Sequence, residues 1–156
     1  MREFFLLFYL SCQAAFGQQI YTFSPDPIDV VIPCIRKDSP ILEKSIAGIR
    51  EYGENIRRII VISPERFTDQ AEWFDEELYP FTKEDLALEI FGNDEEAAAA
   101  YLEAPKCRIG WIYQQFLKLY APFVIPNISS NVLVLDSDTI FLSPVRFMNE
   151  QGEGFL

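Results

Sequence analysis

Short apolar runs alternate with longer amphipathic stretches along the chain, and the change of period locates its elements. Residues 28–35, IDVVIPCI, are a nearly continuous apolar run rich in β-branched side chains. Such a run reads as a strand buried on both faces, the kind found in parallel sheets. Residues 36–39 are polar, and Pro40 suits the first turn of a helix with Ser39 as its N-cap. Leu42, Ile46 and Ile49 recur at helical spacing, and Gly53 is placed to stop the helix. RRIIVIS, residues 57–63, repeats the buried-strand signature, and Pro64 ends it. Strand, helix and strand in that order predict a βαβ unit with a right-handed crossover.

Further on, a short third strand is expected near Trp73. Residues 83–91 and 94–104 read as helices, with Asp94 as N-cap of the second and Pro105 closing the segment. Residues 107–126, CRIGWIYQQFLKLYAPFVIP, predict a helix of about three to four turns. Trp111, Phe116, Leu119, Tyr120 and Phe123 are expected to face the core, and Pro122 and Pro126 to end the helix. NVLVLD, residues 131–136, is the next strand. The alternation predicts an α/β domain with a mainly parallel sheet flanked by helices.

Composition narrows the class. At 156 residues, 49% hydrophobic and 24% charged, the chain is sized and composed for one globular domain. Its net charge of −11 is local: residues 65–103 carry 13 acids and 2 bases, and the remainder carries 11 of each. That segment repels phosphates, which argues against non-specific nucleic-acid binding there. A solvated helical face accounts for it.

The N-terminus, MREFFLLFYLSCQAAFGQQ, has the form of a secretory signal: Arg2, an apolar core at residues 4–10, and small residues Ala15 and Gly17 before a cut at Gln18. This divides the chain into a signal, 1–17, and a domain, 18–156. The apolar core is too short to form a transmembrane helix. A cleaved signal places the protein outside the cell or in a secretory-pathway lumen; an ordinary N-terminal helix would leave it in the cytoplasm. Of the three cysteines, Cys12 would leave with the signal. Cys34 and Cys107 have the option of pairing in an oxidising compartment, although Cys34, beside a strand, reads as a buried free thiol. Asn127-Ile128-Ser129 matches a glycosylation acceptor.

The chemistry concentrates in LVLDSDTIFLSP, residues 133–144. On a strand, Asp136 and Asp138 would point the same way while Ser137 points away. Their place at the carboxyl end of a strand is where open α/β sheets bind ligands. Neighbouring carboxylates repel, and a divalent cation relieves that. Mg²⁺ or Mn²⁺ commonly shares one or two carboxylates with substrate phosphates. A polar turn at a strand end explains the same residues without a ligand.

LVLDSDTIFLSP resembles the D-x-D region of nucleotide-sugar glycosyltransferases of the GT-A fold. KLYAPFVIPNISSNVLVLDSD is similar to the helix, proline, loop, strand and D-x-D layout of glycogenin-like transferases. GWIYQQFLKLYAPFVIP, WFDEELYPFTKEDL and VVIPCIRKDSPIL look closer to an uncharacterised GT-A-like family, so the likeness runs from about residue 28 to 147. The resemblance implies a Rossmann-like nucleotide-binding half and a donor that is a UDP- or GDP-linked sugar. It implies Mn²⁺ or Mg²⁺ at Asp136 and Asp138, with Asp136 also close to the ribose. Pro33, Cys34, Arg36 and Asp38, after the first strand, would contact the nucleotide. Lys118 stands where glycogenin-like enzymes carry an arginine, and would meet phosphate as a point charge. Gln114 and Gln115 are candidates near the sugar or an exposed helical face, and Asp75 and Glu76 match an acidic pair without an assigned role.

Relatives of this kind continue well beyond the D-x-D, where a further metal ligand, often histidine, and the acceptor site lie. This sequence has no histidine and runs 18 residues past Asp138, which leads to the expectation of donor binding with little transferase turnover. A D-x-D phosphatase is a weaker alternative, since Ile140 stands four after Asp136 where that class has threonine or valine, and Thr139 falls one place early. A non-catalytic nucleotide- or partner-binding module and a plain exported structural domain are the others.

Overall fold

The computed structural model describes residues 23–155, so the expected signal lies outside the described residues. Four parallel strands, β1 (Ile28–Pro33), β2 (Ile56–Ser63), β3 (Glu72–Asp75) and β4 (Asn131–Val134), form one sheet in the order β3-β2-β1-β4. Helix α1 (Ser39–Tyr52) joins β1 to β2. Helices α2 (Lys83–Ile90), α3 (Glu95–Glu103) and α4 (Ile109–Val124) lie between β3 and β4. The α/β expectation holds, and the strand order is that of a Rossmann-like half-fold.

The central strand explains itself. All six residues of β1 are buried, and alternate side chains enter opposite layers. Val30 and Ile32, with Ile59 and Val61 of β2, meet Leu42, Ile46 and Ile49 of α1. Val31, with Ile60 and Ile62, meets Tyr113, Leu117, Tyr120 and Ala121 of α4 together with Leu86, Ala87 and Ala98. Tyr79 and Phe81, from the loop before α2, add edge-on ring contacts, and the Tyr79 phenol donates to the Leu117 carbonyl at 3.0 Å.

Asp29 breaks the apolar run and is fully buried. It accepts from Arg57 at 2.7 and 2.5 Å, from Arg58 at 3.0 Å and from the Ser129 amide at 2.9 Å. Desolvation pushes its pKa up, but these donors together outweigh it and hold the carboxyl below its usual range. The clamp ties β1, β2 and the loop after α4 at the amino end of the sheet.

Several local expectations need correction. Asp38, not Ser39, stands at the N-cap of α1. Ser39 is the first helical residue, and its hydroxyl donates to the Arg36 carbonyl at 2.9 Å. Pro122 lies inside α4 instead of ending it, two residues before its end, where its ring leaves the Lys118 carbonyl without an intrahelical donor. Trp111, Leu119 and Phe123 are exposed; Ile109, Tyr113, Leu117, Tyr120 and Ala121 form the buried face. The helix is apolar nearly all round, so periodicity alone misplaced its inner side.

The acidic segment has a local logic. Asp75 accepts from the Glu77 amide, Asp94 caps α3 through the Ala97 amide, and Thr82 and Asp85 form a capping box on α2. Acids in first turns also favour the helix dipole. Among the described residues, no helix is long and apolar enough to cross a membrane.

Candidate functional site

Between β1 and β4 the strand order changes direction: α1 carries the chain one way from β1, and α2 to α4 bring it back on the other side. In such sheets the crevice outside the carboxyl ends at this point receives ligands. Here it is bounded by the residues after β1, the first turns of α4 and the segment after β4.

The segment after β4 is built to show two acids. Strand pairing stops at Val134, and Leu135 makes a last bond from its amide to the Val31 carbonyl at 3.0 Å. Residues 136–139 then form a turn, closed by the Thr139 amide donating to the Asp136 carbonyl at 3.1 Å. The acids therefore lie on a turn and not on the strand itself. The alternation survives all the same: Ser137 is 4% exposed, whereas Asp136 and Asp138 are exposed. Ser137 is held from below, where its carbonyl accepts from the Ser45 hydroxyl of α1 at 2.6 Å.

A shallow cavity of about 300 Å³ is lined by Asp38, Trp111, Gln114, Gln115, Lys118, Asp136, Ser137 and Asp138. Lys118 reaches across from α4, with its Nζ 2.5 Å from Asp136 Oδ1; its side chain is 17% exposed, against 59% for Asp136. Beside this cavity lies a more apolar one of about 370 Å³, between Pro33, Cys34 and Lys37 on one side and Tyr113, Leu117 and Lys83 on the other. Asp38, Trp111 and Gln114 border both, so the two are adjoining parts of one cleft.

Of the expected site residues, Asp38, Lys118, Asp136 and Asp138 come together at the first cavity, and Pro33 lines the second. Arg36 lies apart: it lines neither cavity, is well exposed, and pairs with Glu65. Gln114 and Gln115 both reach the carboxylate cavity. Asp75 caps the turn that follows β3, while Glu76 faces the apolar cavity. Sequence reasoning gave Glu76 no task and placed Trp111 in the core. The signal for Trp111 was its neighbour Arg108, whose guanidinium lies 5.0 Å from the indole centre and holds it at the surface.

Charge is set by burial here. Desolvation raises Glu76, against the pull of Lys83. Desolvation likewise pushes Tyr113 up to about 12, with help from Glu76. Cys34 is buried, unpaired and pushed up to about 11 by the same cause, so its thiol stays protonated at neutral pH. Cys107 is also free, and no bridge joins the two.

Among the described residues, no group of three or more His, Cys, Asp or Glu side chains is arranged to hold a metal ion. Of the three carboxylates on this open cavity, the exposed pair Asp136 and Asp138 is instead the donor set that Mg²⁺ or Mn²⁺ uses when a bound polyphosphate and water supply the other oxygens. The residues suit a cation that arrives with a diphosphate better than one resident alone. Comparison with protein-family models, with curated proteins and with solved structures finds no match to this chain.

Proposed function

We propose that the chain binds the diphosphate of a UDP- or GDP-linked sugar through a divalent cation, Mn²⁺ or Mg²⁺, held by Asp136 and Asp138. One observation carries this reading: two solvent-facing carboxylates and a lysine line one cavity at the carboxyl ends of β1 and β4, where the strand order reverses. The adjoining apolar cavity, with Trp111 at its rim and Glu76 and Lys83 as polar groups, is of a size and character for a nucleoside. The cation, when bound, would neutralise the diphosphate and act as a Lewis acid on a leaving group. Lys118 supplies a further positive charge, and Ser137 fixes the direction of both acids. The GT-A resemblance supports the same assignment, and glycosyl transfer is the chemistry it implies. Binding is the activity proposed for this chain itself.

Titration calorimetry with UDP and GDP, with and without Mn²⁺, tests the reading. Nucleotide binding should require the metal. Asp138→Ala should weaken it by more than the roughly 10- to 100-fold typical of losing an outer-sphere partner. Binding indifferent to the metal would point to a module that uses the apolar cavity alone. An acyl-phosphate trapped on Asp136 would point to a phosphatase.

A further inference from the structure

Lys118 does more in this geometry than wait for phosphate. Its ammonium lies 2.5 Å from Asp136 Oδ1, and Asp136 lines the cavity together with Asp138. A cation on that carboxylate would sit within a few ångströms of the ammonium, and two like charges at that distance in a partly shielded site oppose each other. The lysine is largely enclosed, so it cannot relax fully into water without leaving its packing. Resting on the donor-site reading above, we propose that Lys118 is a built-in counter-ion that makes cation binding conditional on a polyphosphate. Without the ligand it occupies Asp136 and keeps the cation's affinity low. A diphosphate entering the cavity offers the ammonium a second anionic partner and frees Asp136 for the metal. The charges facing this position are Asp136, Asp138 and Asp38; Gln114, Gln115, Trp111 and Ser137 complete the wall without charge. Lys118 is therefore a positioning residue that couples two ligands, and the coupling is reciprocal.

The test measures metal binding apart from any turnover. Free Mn²⁺ is followed by its electron paramagnetic resonance signal during titration with the full chain, and UDP and GDP binding by calorimetry at fixed Mn²⁺. Lys118→Met should bind Mn²⁺ alone roughly tenfold more tightly than wild type, the low end of the effect of a close charge, because Asp136 is exposed. By reciprocal linkage, the gain in nucleotide affinity that Mn²⁺ gives should fall by about the same factor. Lys118→Arg keeps the charge and should restore weak binding of the metal alone, which separates charge from packing. Circular dichroism melting of each variant checks that the fold persists. If wild type binds metal and nucleotide together but Lys118→Met binds Mn²⁺ alone no more tightly, the counter-ion role is overturned and the donor site stands. If wild type binds neither nucleotide with Mn²⁺ present, both fall.

Discussion

At the scale of single residues, the buried carboxylate of Asp29 is as consequential as the exposed pair. Four donors meet it, and its partners come from β2 and from the loop after α4. Its pKa is lower in the folded chain than in the unfolded one. The stabilisation is therefore fully present above the unfolded value and lost as pH falls through the folded one. Asp29→Asn keeps the shape but not the charge, and should cost about 2–3 kcal/mol at pH 7, below the full cost of breaking a buried pair because both arginines keep some contact with water. The difference in melting midpoint between wild type and variant should shrink as pH is taken below about 4, towards the range where the wild-type carboxyl also protonates. An unchanged difference at low pH would show that Asp29 acts through packing alone. This residue was hidden in the sequence, because one acid inside IDVVIPCI looks like a flaw in an apolar run until the two arginines of the next strand are laid beside it.

At the scale of elements, legibility followed how few ways each element had to bury its apolar atoms. The strands and α1 were readable from their patterns, and β3 was visible as a short run near Trp73, because each had a single way to bury its apolar atoms. Helix α4 did not have that property. With apolar residues on every side, its inner face was decided by what it packs on, Val31 and Ile60 beneath and Phe81 alongside. The aspartate pair was legible as chemistry but not as geometry: two acids and a serine specify the turn only once Ser45 is placed under Ser137. Helix α1 also carries a tight contact. A Cβ added at Gly48 would lie 2.8 Å from the carbonyl oxygen of Phe141. Gly48→Ala should therefore push residues 140–141 away from the helix. A loss of about 1–3 kcal/mol is expected from overpacking, read from chemical denaturation. No loss would mean that this segment moves freely on α1.

At the scale of the whole molecule, the charge of −11 is concentrated between residues 65 and 103, on the segment that includes α2 and α3. Capping explains where Asp75, Asp85 and Asp94 stand but leaves the surplus repelling itself across the surface. Salt screens such repulsion over about 10 Å at 0.1 M. The melting midpoint should accordingly rise between 10 mM and 0.5 M sodium chloride, a range chosen to span roughly the full screening of surface charge. A fall would show that ion pairs such as Arg58 with Glu72 outweigh the surplus. The sheet order, by contrast, could not be read from the pattern alone. It depends on whether β4 joins β1 or β3, and the pairing of Val30 with Leu133 decided it.

The hydroxyl of Ser45 reaches under the sheet's edge to the carbonyl between the two acids. Whatever shifts α1 along its axis would therefore pull on the turn that carries both carboxylates. A buried serine that lines neither cavity serves as a tether for that turn.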